Sequence, residues 1–390
     1  MPLLAAIEDG FKRSGVLNGA KIAMSIHLEA KTARLARLFA RSGATVYATG
    51  SNPLSTQDDV CAALVKSGVT VFAAHNASAD EYQEHLINAL AIRPNVFIDD
   101  GGEFISIIEE RGINEWPRLI GGCEETTTGV NRLRARAKSG LLSVPMYNVN
   151  DAKCKRLFDN RYGTGQSAWD AIMRTTNLCV AGSIVVVGGY GWCGKGVAQR
   201  AKALGARRVI ITEVDPVAAL EAAMEGFEVM PMAEAAPLGD FFITVTGCRD
   251  IIGERVFDRL KDGAVLANAG HFDVEVNVAA LRKTAKAVFI ARENIEGFEL
   301  SNGRTVYLLA EGRLVNLAAG NGHPVEIMDM SFALQAMCVA EMFTNGHKLP
   351  PGLYPVPEEV DSEVAGMKLA GMGIKTDRLT KEQRMYITGR

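Results

Sequence analysis

The chain has 390 residues, a length that at roughly 150 residues per domain predicts two or three domains. Apolar residues make up 48% and charged residues 22%, and 42 Lys and Arg nearly balance 45 Asp and Glu for a net charge of −3. That excludes a disordered chain and leaves no basic excess for nucleic acid, so small molecules are the expected partners.

The opening residues Met1 to Asp9 carry no basic stretch and their apolar run ends at an acid, so no signal peptide is expected. No apolar run approaches the ~18 residues of a membrane span. From residue 21 apolar runs alternate with helical periodicity: 21–25, 30–42, 45–48, 56–67, 69–73, 79–90 and 95–98. Alternation of this kind predicts a parallel α/β sheet. Arg34, Arg37 and Arg41 make a basic stripe read as a solvated helix face. Residues 124–160 are too polar for a core and too long for a simple turn, and polar density at a domain junction is where ligands commonly sit. A second alternating block has strand-like runs at 183–187, 209–212, 241–245, 264–267 and 288–291. A charged amphipathic helix follows the proline-rich stretch after Pro350.

The seven cysteines are widely spaced with no C-x-x-C pair and no histidine at ligand spacing, which predicts no disulfide framework, no metal site and a reducing, cytoplasmic location. Gly189, Gly191 and Gly194 form G-x-G-x-x-G after the β-branched run Val185-Val186-Val187 and at the start of a helical stretch, and Glu213 ends the next strand. In that context the motif is a dinucleotide fingerprint. Gly189 permits the tight turn, Gly191 lets a pyrophosphate approach the backbone, and the helix N-terminus supplies N–H donors. Glu213 suits the adenosine ribose hydroxyls and repels a 2′-phosphate, favouring NAD over NADP. Within the loop, Cys193 is either a redox thiol or a small space-filler, Trp192 reads as structural, and Lys195 is expected to face solvent.

Several segments together carry a resemblance: His27-Leu28-Glu29-Ala30-Lys31-Thr32, Asp99-Asp100-Gly101-Gly102, Glu124-Glu125-Thr126-Thr127-Thr128-Gly129, Lys155 to Asn160, Gly189 to Gly196, Asn268-Ala269-Gly270-His271-Phe272-Asp273 and Asn316 to His323. Over essentially its whole length the chain resembles the S-adenosylhomocysteine hydrolases, in the short, archaeal-type form. The resemblance implies reversible hydrolysis of S-adenosylhomocysteine to adenosine and homocysteine, with tightly bound NAD oxidising the ribose 3′-hydroxyl before elimination, water addition and re-reduction. It implies that Glu125 grips the ribose hydroxyls and that Lys155 sits at the 3′-oxygen beside Asp159, as a usable acid or base. It makes Asp100 the base for the C4′ proton and puts His27 and His271 on the 5′ side. His323 stands at the mouth of the site. Cofactor contacts are implied for Thr126, Thr127, Thr128, Asn160, Gly189, Gly191, Trp192, Cys193, Gly194, Lys195, Gly196, Glu213, Thr246, Gly247, Ala269, Gly270, His271 and Asn316.

Glu29 and Lys31 depart from the commoner form of the family in the segment that reads the purine edge. A lysine is donor-only and a carboxylate acceptor-only, so Lys31 suits O6 and Glu29 suits N1–H of hypoxanthine. S-inosylhomocysteine is one expected substrate; the other expectation is that the two residues neutralise each other and the backbone reads adenine. Two further departures, a short tail and Ala218 near the NAD ribose, predict weaker NAD retention than in the long form. A plain NAD dehydrogenase is the rival enzyme class, and a dead regulator is disfavoured by the intact active positions. The expected fold is two Rossmann-like parallel-sheet domains with a cleft between them: a substrate domain at 1–160 plus 324–370, an NAD domain at 161–323 and a short C-terminal helical tail at 371–390. A homotetramer or homodimer is expected, as in the family.

Overall fold

The computed structural model describes residues 1–389; Arg390, the last residue of the tail, lies outside them. The strands in chain order are β1 (Lys21–Ser25), β2 (Thr45–Thr49), β3 (Thr70–Val71), β4 (Val96–Asp99), β5 (Gly121–Glu124), β6 (Pro145–Asn148), β7 (Ile184–Gly188), β8 (Arg208–Thr212), β9 (Glu228–Val229), β10 (Phe241–Thr244), β11 (Val265–Asn268), β12 (Ala285–Arg292), β13 (Ile295–Leu300), β14 (Thr305–Leu309) and β15 (Gly352–Pro355). One seven-stranded sheet runs β15-β6-β5-β4-β1-β2-β3, with every pair parallel. The other, eight-stranded, runs β12-β13-β14-β11-β10-β7-β8-β9 and is parallel except where β13 meets β12 and β14.

Strands β4 and β7 are buried along their whole length, as continuous Val/Ile runs must be when helices cover both faces of a parallel sheet. Each sheet has one topological switch point. The chain moves outward from β1 to β2 and β3 and then returns to place β4 on the other side of β1; it repeats this with β7, β8, β9 and β10. Ligands of open α/β sheets lie outside the carboxyl ends of the strands at such points.

The chain closes its first unit with the segment that begins at Val325. Helix Val325–Asn345 packs Phe332, Leu334, Cys338 and Val339 into the core that also holds Leu4, Ile22, Leu35 and Phe39, and β15 pairs with β6. By length and composition this helix passes the test of a membrane span, contrary to the absence of such a run expected above, but 67% of its apolar window is buried inside the fold. It is long and mainly apolar because it crosses a core.

Two other expectations change. Residues 124–160 hold the end of β5, helix Thr127–Lys138, strand β6 and the helical turns Lys153–Lys155 and Arg156–Gly163, so the segment is a regular part of the first sheet, polar because it forms a rim. The arginine stripe faces solvent only in part, with Arg41 exposed and Arg34 half-buried. Arg34 lies 2.7 Å and Arg41 3.9 Å from Glu8, which is 4% exposed on helix Pro2–Ser14, so the stripe is the seam between two helices. Burial raises the Glu8 pKa, but its bond to Lys12 and the Arg34 charge outweigh this and hold it below the usual range.

Candidate active site

A cleft of about 1050 Å³ opens between the carboxyl ends of the two sheets. That lies at the top of the range for small-molecule sites, roughly 300–1,000 Å³, and has room for two ligands side by side. His27 follows β1 and Asp100 follows β4, flanking the first switch point; Gly189 and Gly191 follow β7, and Thr246 and Gly247 follow β10, flanking the second. All six line the same cleft.

On the first-sheet side the floor is a buried ionic network. Lys155 Nζ lies 2.9 Å from Asp159 and 3.4 Å from Glu125, and donates to Asn160 Oδ1 at 2.9 Å. Asp159 also meets His323 Nδ1 and accepts the Ser331 hydroxyl at 2.7 Å, while Gln335 donates to Glu125 at 2.5 Å. Residues 156–163 form a π-helix, whose wide turn follows Lys155 and carries both Asp159 and Asn160 buried. Such turns gather at functional sites. Burial would strip the proton from Lys155, but Asp159 and Glu125 overrule it and hold the pKa above that of an ordinary lysine. The amine is thus a charged donor in this state, not the poised base that desolvation alone suggests. Burial pushes the Glu125 carboxyl up to about 7 despite Lys155. For Asp159 burial pulls upward, yet Lys155 and His323 outweigh it and hold the carboxyl far below the usual range.

Asp100 sits between two imidazoles: His27 Nε2 is 3.6 Å from Oδ2 and His271 Nδ1 is 3.8 Å from Oδ1. Ser51 donates to Oδ2 at 3.0 Å, and Oδ1 is buried with no hydrogen-bond partner among the described residues. Burial works to raise the Asp100 pKa, but His27, His271 and Ser51 hold it below the usual range. Burial lowers His27 to about 4, so its ring is neutral near pH 7. These three side chains, from three distant segments, place ligand-type atoms within 4.8 Å of one another.

The second-sheet side has the features a dinucleotide needs. Gly189 has φ +101, and the position where Gly191 would carry a Cβ is open. Glu213 accepts the N–H of Tyr190 at 2.6 Å and that of Asp215 at 3.0 Å, which fixes its carboxylate at the tip of β8 beside the glycine turn. Asn316 donates to Ser167 at 3.0 Å and keeps a buried Oδ1 with no partner among the described residues. Thr126, Thr127, Thr128, Trp192, Cys193, Ala269, Gly270 and Asn316 all reach the cleft wall. Gly194, Lys195 and Gly196 do not. A Cβ on Gly194 would overlap the Gly189 carbonyl and one on Gly196 the Arg161 carbonyl, so both glycines serve packing. Lys195, expected in solvent, is 9% exposed, paired with Glu221 at 2.6 Å and 4.5 Å from the Trp192 ring centre. The Cys193 thiol is pushed up by burial and receives the Thr164 hydroxyl at 3.5 Å, the environment of a filler more than of a redox thiol.

Residues 1–117 match the family model described as S-adenosyl-L-homocysteine hydrolase, and residues 160–322 match its NAD-binding domain. A protein of Thermotoga maritima named adenosylhomocysteinase is 56% identical over 99% of this chain and 96% of its own length. The chain belongs to the S-adenosyl-L-homocysteine hydrolase family. A relative from Methanosarcina mazei, named S-inosyl-L-homocysteine hydrolase, is 53% identical over 100% of this chain and 94% of its own, and an adenosylhomocysteinase of Thermococcus kodakarensis is 53% identical over 99% and 92%. The family's cofactor is NAD, and the open Gly191, the tethered Glu213 and the orphaned Asn316 oxygen fit it.

Glu29 and Lys31, the departure from the commoner hydrolase pattern, pair with each other at 2.7 Å. Glu29 also caps helix Ala30–Arg41, accepting the N–H of Thr32 and Lys31, and Lys31 donates at 2.9 Å to the Asn321 carbonyl on the opposite wall. Reading for chemistry missed the apolar wall, Leu317, Met328 and Phe332, and the buried supports Ser331 and Gln335. In the sequence all but Leu317 lie within the apolar helix Val325–Asn345 and look like core.

Proposed function

We propose that this protein hydrolyses S-adenosyl-L-homocysteine to adenosine and L-homocysteine, reversibly, at the cleft between its two sheets. The observation that carries the reading is the buried Glu125–Lys155–Asp159 network facing Asp100 across one cleft with the dinucleotide loop. When bound, NAD would supply the hydride acceptor for the ribose 3′ carbon, and Glu125, with a pKa of about 7, would hold the 3′-hydroxyl proton. Thr127, Asn150 and Asn160 form a hydrogen-bonded chain that ends on Lys155 and supports the cofactor side. Glu125 accepts from the ribose hydroxyls. Lys155, held charged by Asp159, donates to the 3′-oxygen and steadies negative charge there as the C4′ proton leaves. Asp100, ionised and with a free Oδ1, takes that proton. The neutral His27, whose Nδ1 contacts Ser55 at 2.6 Å and whose Nε2 lies 3.6 Å from Asp100, takes a proton from the entering water with His271 beside it, while the proton that Asp100 took from C4′ is available to the leaving thiolate. His323 closes the mouth by its bond to Asp159.

The Glu29–Lys31 pair favours a second substrate, S-inosyl-L-homocysteine, if hypoxanthine separates the two charges and binds one with O6 and the other with N1–H. Incubating the purified, NAD-loaded protein with each nucleosidyl homocysteine and identifying the products tests both readings. Adenosine and homocysteine are expected; inosine from the second substrate extends the specificity. Steady accumulation of reduced nicotinamide with no free homocysteine would support a dehydrogenase instead.

We also read the two sheets as two moving bodies, with residues 1–160 and 324–370 in one, 161–323 in the other and 371–390 as a tail. The free state of all seven cysteines fits a reducing cytoplasm, and the exposed Val214, Val217 and Tyr386 fit burial against another copy.

A further inference from the structure

Glu124 ends β5 in register with Asp99 of β4, so it stands one residue before Glu125 and one strand from Asp100. It is fully buried, and no step above uses it. Its Oε1 accepts the N–H of Gly101 at 3.0 Å, the N–H of Thr126 at 2.9 Å and the Thr126 hydroxyl at 3.1 Å. The first bond holds the turn that follows Asp100, and the other two hold the turn that follows Glu125. Gly101 and Gly102 have φ of +111 and +82, so the Asp100 turn has little conformational preference of its own and takes its position from outside. Room for the carboxylate comes from Gly129, where a Cβ would overlap it. Oε2 has no partner among the described residues.

We propose that Glu124 is a positioning residue for the reaction: through one oxygen it clamps the Asp100 turn to the Glu125–Thr126 turn, and so fixes the proton-transfer carboxylate relative to the ribose-gripping one. On the other sheet Glu275 holds a single cleft turn, accepting the N–H of Thr246 at 2.9 Å and of Gly247 at 2.7 Å, whereas Glu124 joins two. A buried acceptor shared by two turns transmits its loss to both. Three donors lose their partner when it is removed, and a shift of about 1 Å in a catalytic group is enough to cost about 100-fold in rate.

The inference rests on the hydrolase reading, which the wild-type protein tests separately by its own turnover. In the NAD-loaded full chain, Glu124→Ala and Glu124→Gln are compared for kcat, KM, exchange of the substrate C4′ hydrogen with solvent deuterium, and thermal midpoint. Glu124→Ala is expected to lower kcat and C4′ exchange about 100-fold while KM stays within about threefold. Glu124→Gln is expected to recover most of both rates. An amide oxygen can accept the same three bonds, the new NH2 replaces an oxygen that bonds nothing, and burial, reinforced by Asp99, already pushes the Glu124 carboxyl well above its usual range toward the neutral form. Turnover of Glu124→Ala close to wild type, a Gln variant as impaired as the Ala variant, or losses that track only the amount of folded protein would each overturn the proposal. Should Glu124→Ala fail to fold, Glu124→Asp takes its place: the side chain is one methylene shorter, and wild-type rates in it would be equally fatal.

Discussion

At the scale of single residues, the cleft is governed by buried charges whose partners decide their state. Glu125 shows the competition most clearly. Burial favours its neutral form, Lys155 favours its charged form, and the balance puts its pKa at about 7, above the ordinary 4.5. A carboxyl raised on folding stabilises the protein fully below its unfolded pKa, and that contribution is lost as pH rises through the folded value. Glu125→Gln is neutral at every pH and escapes this loss. The difference in thermal midpoint between Glu125→Gln and wild type, both without ligand, is therefore expected to grow in favour of the variant from pH about 4.5 to past about 7 and then level off. A difference independent of pH across that window would mean that Glu125 is ionised throughout. Asp159 works in the opposite sense. Its depressed pKa stabilises the fold above the ordinary 3.8, and that contribution is lost only in acid.

At the scale of elements, each functional side chain owes its place to one local device. The π-helix 156–163 carries Asp159 and Asn160 buried around Lys155. The glycine turn after β7 depends on Gly194, which brings helix Trp192–Ala203 onto the Gly189 carbonyl. Gly194→Val must push the helix off the strand. It is expected to cost about 1–3 kcal/mol in denaturant unfolding and to lower the NAD recovered per chain. A variant that retains wild-type NAD content would show that the turn tolerates the displacement. The glycine turn was legible in the sequence because its spacing is local: a β-branched run, three glycines and an acid one strand later. The π-helix was not legible. Lys155 and Asp159 at i, i+4 read as one face of an α-helix, and only the fold reveals the wider turn. Gln335 and Ser331 were hidden for a related reason, since polar residues inside an apolar helix declare themselves only once their buried partners Glu125 and Asp159 are known.

At the scale of the molecule, the arrangement follows from two doubly wound sheets whose switch points face each other. The alternation of apolar runs marked enough strands for the class of fold but left β5, β6, β9, β13, β14 and β15 unmarked, and strand order depends on crossovers that periodicity does not encode. The return of helix Val325–Asn345 and β15 to the first sheet is of that kind. So is the meeting of His27, Asp100 and His271, residues from three distant segments that form one cluster. Contacts that bridge the cleft, Lys31 to Asn321 and His323 to Asp159, tie the opposing walls on either side of the ribose network. In the proposed reaction, closure there is what would keep water from a substrate that has become a ketone.

In the proposed reaction the chain's own carboxylate removes the C4′ proton from an oxidised nucleoside, and hydrolysis is the net result. Incubating the NAD-loaded protein with adenosine and homocysteine in deuterated water, then analysing the recovered nucleoside, tests it most directly. The account predicts deuterium at C4′, with exchange abolished in Asp100→Asn. Formation of S-adenosylhomocysteine with hydrogen retained at C4′ would contradict it.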